Sequence, residues 1–249
     1  MIGHRWIARV RTHLLRAWLG LLLVVVLASC SRPDFVALSG YIPGYVADSE
    51  VNTWQQIGQT TTDYVIKAPT GTAPATGWTT IVALHPAGGN GQGMVQAFER
   101  LPNPPEALIL APTIADQSGM TYDAAAIITH TILEKIKAEY PINPQQIVVF
   151  GYSQGGATAS VYAQRYPEGV AGVAITGAPV LAYPRQNAPN LKYAIGVGEN
   201  DPRKEPATTF AQELKQRNYP VEFEVIPGIG HEFAPQYLDM VLSLVSNVQ

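Results

Sequence analysis

The sequence predicts an α/β protein: a mostly parallel β-sheet with helices on both faces. Three observations carry this. Short apolar, β-branched runs alternate along the chain with stretches whose apolar residues recur at helical spacing. Most of those runs end on loops rich in glycine and polar residues, as strands feeding crossover helices do. One of them, Ile147-Val148-Val149-Phe150, leads directly into Gly151-Tyr152-Ser153-Gln154-Gly155, a G-x-S-x-G turn between a strand and a helix.

Taken in order, residues 1–29 read as a leader and residues 30–60 as a tether, with an edge strand near Phe35 to Leu38. Residues 61–249 carry the folded domain. Asp63 to Lys67 alternates and reads as a strand, and the turn-rich stretch from Thr70 to Gly77 follows. Trp78 to Leu84 is the next strand and ends at His85-Pro86-Ala87-Gly88-Gly89-Asn90-Gly91. Ala107 to Leu110 is another, running into Pro112. Thr121 to Tyr140 is a helix: Ile128, Ile132 and Ile136 repeat every fourth residue, and Ile127 and Leu133 widen the stripe. Thr121 can cap its start, Asp123 suits the first turn, and Pro141 ends it.

The helix after Ser153, from about Gly155 to Arg165, is rich in small residues and can lie close to the sheet. Strands follow at Val170 to Ile175 and at Tyr193 to Val197. A helix with Ala207, Phe210, Ala211 and Leu214 on one face comes next, then a strand from Val221 to Ile226. The closing helix is expected to bury Tyr237, Val241, Leu244 and Val248.

The chemistry is expected at one edge of this sheet. A serine on a sharp strand-to-helix turn has a strained backbone, and the flanking glycines leave it room. Its hydroxyl is a poor nucleophile until a base takes its proton. His4 and His13 lie in the leader, His130 falls on the polar side of a helix where solvent is expected, and His85 ends an early strand. His231 sits in the loop after the last strand, and in a parallel sheet that loop shares an edge with the Ser153 turn. The histidine needs an acid to fix its tautomer. Asp201, with Glu199 as the alternative, follows the Tyr193 strand at the same edge; Asp116 and Asp239 are less well placed. An oxyanion needs two donors: the N–H of Gln154 and, from the loop after Leu84, that of Ala87. Losing one such donor typically costs about 3 kcal/mol of transition-state stabilisation. The run from Gly88 to Gly93 lacks the lysine of a phosphate-binding loop and the glycine spacing of a dinucleotide site.

In chain order, LHPAGGNG, GYSQGG, GENDP and GIGHEF resemble the four signature loops of α/β-hydrolase esterases, over roughly Asp63 to Val248. The match is similar to small carboxylesterases and phospholipase-like acyl esterases, and DYVIKAPTG with TTIVALHPAGG also resembles the polyhydroxyalkanoate-depolymerase and feruloyl-esterase group. The resemblance implies the α/β-hydrolase fold and the order Ser153, Asp201, His231. It implies a serine esterase working through an acyl-enzyme, with no metal and no organic cofactor. One departure stands out: the family has His-Gly in the oxyanion loop where this chain has His85-Pro86, and proline supplies no N–H. Ser153 and Asp201 are only 48 positions apart, which leaves little room for a lid between them and favours short-chain acyl esters or polymer ends.

Of 16 basic side chains, four arginines lie in residues 1–29, which leaves 12 against 19 acidic ones. That balance of −7 argues against a nucleic-acid surface. Arg5 to Arg16 form a basic segment, and Trp18 to Leu27 an apolar one, shorter than the about 20 residues that span a bilayer. Leu27-Ala28-Ser29-Cys30 then resembles the lipobox of bacterial lipoproteins, which implies cleavage before Cys30, lipidation of its thiol and a lipid-anchored place in the cell envelope, at the outer membrane where there are two. Cys30 is the sole cysteine, so no internal disulfide forms. Two other classes compete with the esterase: a peptidase or amidase of the same fold, separable by an ester-against-amide panel, and a noncatalytic envelope binding protein, separable by fluorophosphonate labelling.

Overall fold

A computed structural model describes residues 35–41, 61–114, 121–184, 188 and 190–248. The expected leader, Cys30 and most of the tether lie outside the described residues, as does Asp116.

Among the described residues, eight strands form one sheet: β1 (Phe35–Tyr41), β2 (Thr61–Lys67), β3 (Trp78–Leu84), β4 (Leu108–Thr113), β5 (Ile142–Tyr152), β6 (Gly172–Thr176), β7 (Lys192–Gly198) and β8 (Val221–Ile226). Their spatial order is β1-β2-β4-β3-β5-β6-β7-β8. The β1–β2 and β2–β4 pairs are antiparallel, and every pair from β4 through β8 is parallel. The edge strand expected near Phe35 to Leu38 is β1, and it brings part of the stretch read as tether into the sheet. Among the described residues, five α-helices cover the faces: α1 (Gly91–Glu99), α2 (Tyr122–Glu139), α3 (Gln154–Arg165), α4 (Lys204–Gln216) and α5 (Gln236–Val248).

Period-two alternation divides the core into two layers. From β3 and β5, Val82, Leu84, Ile147 and Val149 pack on one side with α2, α3 and α4. Ile81, Ala83, Val148 and Phe150 pack on the other with α1 and α5. Apolar runs without polar interruption are what a strand buried on both faces requires.

Thr121 caps α2, its hydroxyl accepting from the Ala124 N–H at 3.1 Å, and Ile128, Ile132 and Ile136 are buried as their spacing requires. Asp123 in the first turn of α2 pairs with Arg165 in the last turn of α3 at 2.8 Å.

Some details of these elements differ from the sequence reading. Helix α1 was not expected, because Gly91 and Gly93 obscure it. Its signals are the Asn90 cap, whose side chain accepts from the Gly93 N–H at 2.8 Å, and the buried trio Met94, Val95 and Phe98. Gly91 belongs there for packing: a β-carbon at this position would lie 2.0 Å from the Ala111 carbonyl oxygen. Strand β4 continues through Pro112 to Thr113, past Leu110, the last residue it pairs with β3; beyond that point it pairs only with β2. Val248 is half-buried at the end of α5.

Candidate active site

Strand β5 ends at Tyr152 and α3 begins at Gln154, so a single residue, Ser153, makes the turn. Its φ of 53° and ψ of −116° lie where a side chain is disfavoured, a strain of about 1–3 kcal/mol. Two main-chain hydrogen bonds hold it there: the Ser153 N–H donates to the Thr176 carbonyl at 2.9 Å, and the Ser153 carbonyl accepts from the Ala157 N–H at 3.0 Å. The neighbouring glycines are required by crowding. A β-carbon on Gly151 would fall 2.0 Å from the Gly155 carbonyl oxygen, and one on Gly155 would fall 2.1 Å from that of Leu84. The small residues at the start of α3 thus let it sit hard against the end of β3.

The loops after β7 and β8 close over the same edge. The Asn200 N–H donates to the Ile229 carbonyl at 2.8 Å, and the Glu199 N–H to that of Ile226 at 2.9 Å. The Glu199 carboxylate accepts from the Gly228 N–H at 2.9 Å. Glu199, the alternative acid, is therefore used to hold the loop that carries His231.

The imidazole of His231 joins the other two side chains. Its Nε2 lies 2.9 Å from Ser153 Oγ, and its Nδ1 lies 2.7 Å from Asp201 Oδ2. The Asp201 side chain is wholly buried, whereas that of His231 is 30% exposed. The other carboxylate oxygen, Oδ1, accepts from the Arg203 backbone N–H at 2.9 Å and faces the Arg203 guanidinium at 3.4 Å. A carboxylate accepts only, so Nδ1 of His231 carries the proton and Nε2 offers a lone pair to the serine hydroxyl. That is the arrangement in which an imidazole can remove the hydroxyl proton as oxygen attacks carbon.

Two supports were not visible in the sequence. The Tyr152 ring stacks on His231, with centroids 5.3 Å apart and planes 25° apart, and Tyr237 stacks behind Tyr152 at 5.7 Å. Burial, reinforced by Tyr237 and Asp201, raises the Tyr152 phenol well above its ordinary pKa, so it adds no charge beside the imidazole. Burial likewise pushes Tyr237 up to about 12. Gly177, with φ +52°, fills the remaining side; a β-carbon there would approach Tyr152 to 2.8 Å and His231 Cε1 to 3.4 Å. The only sequence signal for these was position: Tyr152 precedes the serine and Gly177 ends the neighbouring strand.

Gln154 opens α3, and the amides of a first helical turn point out of its N-terminus. Ala87 lies in a turn at the exit of β3, whose Leu84 pairs beside Gly151 of β5. The turn is closed by the Gly89 N–H donating to the Pro86 carbonyl at 2.9 Å, with Gly88 at φ +72°. Asp239 lies on α5 and takes no part in the His231 contacts.

His130 is not solvated as its helix position suggests. It is half-buried, stacked on Tyr166 with centroids 3.8 Å apart and within 3.1 Å of the Tyr162 hydroxyl. Desolvation lowers its pKa against the opposing pull of Glu134, which suits a neutral packing residue.

A family model described as the alpha/beta hydrolase fold matches residues 112–224. A probable carboxylesterase of Oryza sativa subsp. japonica is 25% identical over 143 residues, 52% of this chain and 53% of the relative, so the chain spans about half the length of the curated relative it matches. Among solved structures, a thermostable esterase superposes with a TM-score of 0.69 at 16% identity, over 86% of this chain and 62% of that one. An S-formylglutathione hydrolase from Staphylococcus aureus gives 0.65 at 15%, over 88% and 100%. A ferulic acid esterase gives 0.61 at 15%, over 86% and 98%.

Proposed function

We propose, from the α/β-hydrolase fold of this chain, that it is a serine esterase that cleaves carboxylic esters through an acyl-enzyme. The observation that carries the reading is the hydrogen-bonded series Ser153 Oγ, His231 Nε2, His231 Nδ1, Asp201 Oδ2, at 2.9 and 2.7 Å, on a strained strand-to-helix turn. Ser153 Oγ attacks the ester carbonyl carbon while His231 Nε2 takes its proton. The tetrahedral oxyanion is held by the N–H groups of Gln154 and Ala87. It collapses, the alcohol leaves with the proton from His231, and the acyl group stays on Ser153. Water, deprotonated by the same imidazole, attacks the acyl-enzyme, and the acid leaves with Ser153 restored. Asp201 stays ionised and holds the imidazolium formed in each half-reaction.

The substrate is proposed to be a short-chain or polymer-end ester. His231 is part-exposed, and 48 positions separate Ser153 from Asp201, so the region between them offers a shallow surface more readily than a deep acyl tunnel. Aryl esters of increasing acyl length test this with purified protein. Turnover is expected to fall as the acyl chain lengthens; hydrolysis of long-chain esters far better than short ones would overturn the short-chain reading, and absence of turnover on every ester together with turnover of amides would favour the peptidase class.

The proposed setting is the bacterial cell envelope, with the protein anchored through lipid on Cys30. Mass spectrometry of the mature N-terminus is expected to find a diacylated or triacylated cysteine. A free Cys30 thiol, or an intact leader, removes the anchor from the proposal.

A further inference from the structure

We infer that His85 is a positioning residue that aims the Ala87 N–H at the oxyanion; this rests on the serine-esterase reading. His85 is buried at the exit of β3. Its Nε2 accepts the Ile114 backbone N–H at 3.0 Å. A nitrogen that accepts a hydrogen bond bears no proton, so the proton of the neutral ring is on Nδ1. Nδ1 lies 2.7 Å from the Pro86 carbonyl oxygen and donates to it. The same oxygen accepts from Gly89 N–H at 2.9 Å, so both of its lone pairs are committed.

The Pro86–Ala87 peptide is trans and planar, so its C=O and N–H point in opposite directions. Fixing the Pro86 oxygen toward His85 therefore fixes the Ala87 N–H away from it. The loop cannot draw a donor from residue 86, because proline has none. The loop packs closely against the nucleophile turn: a β-carbon built on Gly155 would fall 2.1 and 2.7 Å from the Leu84 and His85 carbonyl oxygens. The ring is thus a clamp between the exits of β3 and β4. Gly89 is part of it, since a β-carbon there would come within 3.1 Å of His85 Cβ.

The test uses the purified enzyme with a short-chain aryl ester, and compares His85→Ala and His85→Asn with wild type and Ser153→Ala. Loss of one oxyanion donor lowers kcat by about 100-fold or more. His85→Ala is expected to lose about that much in kcat with KM within about threefold of wild type, because the lost interaction is made only in the transition state. Asparagine can place an amide donor near the position of Nδ1, and His85→Asn is expected to recover about tenfold over alanine. In ¹⁵N spectra of the wild type, His85 is expected to show a protonated Nδ1 and a bare Nε2. The inference is overturned by kcat of His85→Ala within about threefold of wild type, by an asparagine variant no better than alanine, or by the opposite tautomer. If the variants do not fold, the tautomer alone decides. Retention of activity in Ser153→Ala would instead overturn the serine-esterase reading itself, and this inference with it.

Discussion

Ser153→Ala is expected to lower kcat for ester hydrolysis on the order of a million-fold and to abolish all labelling by a fluorophosphonate. The size follows from the way the side chains act as a unit. Without Oγ there is no covalent intermediate, and the His231 imidazole has no proton to take. What remains is the oxyanion site acting on bound ester and water, worth a residual of roughly a thousandfold over the uncatalysed rate. A second substitution at the same position separates chemistry from strain. Ser153 sits at φ 53°, where glycine has no β-carbon to accommodate, so Ser153→Gly should be equally inactive yet melt above Ser153→Ala. Differential scanning calorimetry and an ester assay on the two variants decide both points. Turnover of Ser153→Ala within about a thousandfold of wild type, or any labelling of it, would mean that another nucleophile does the work.

The second large effect is at Asp201. Asp201→Asn should lower kcat by about ten-thousandfold with little change in fold. The reason lies in what faces each oxygen. Oδ1 meets two donors from Arg203, its backbone N–H at 2.9 Å and its guanidinium at 3.4 Å. In the asparagine variant these donors select the amide oxygen, which turns the amide NH₂ toward His231 Nδ1. Nδ1 must then accept, the ring proton moves to Nε2, and the nitrogen facing Ser153 can no longer take a proton. The volume change is negligible, so circular dichroism and melting should stay close to wild type while steady-state kinetics collapse. A loss smaller than about tenfold would show that Asp201 does not set the tautomer.

Much of this site was legible before any coordinates, for a topological reason. A nucleophile at the end of one parallel strand limits its partners to loops at the same edge, and few loops carry a histidine or an acid. With Ser153 marked by its G-x-S-x-G turn, that restriction leaves His85 and His231 as bases and the pair Glu199 and Asp201 as acids, and the chain order selects His231. The choice within the pair follows from neither. The two acids follow the same strand, two positions apart, and which one reaches the imidazole depends on the bend in which the Asp201 N–H donates to the Gly198 carbonyl at 3.1 Å. The burial of His130 is hidden in the sequence for a related reason. Periodicity within α2 puts it on the polar side, but Tyr162 of α3 and Tyr166, just past the end of α3, cover it. Helix α1 is hidden in the sequence because Gly91, which lies close against the sheet, and Gly93 look, in isolation, like loop residues. Each of these misses concerns a contact between segments far apart along the chain.

The sheet order has a consequence for tolerance to change. Adjacent strands β5, β6, β7 and β8 deliver, in turn, Ser153, the Thr176 carbonyl with Gly177, Asp201 and His231 to a span of a few hydrogen bonds. Alignment between neighbouring strands is quantised, since a slip of one residue turns every side chain to the opposite face. The spacing of the reacting groups is therefore ruled by the ladder beneath them, much as type is held by its frame. Sequence drift in the surrounding connections can be absorbed, whereas an insertion within any of these four strands would put the whole row out of line.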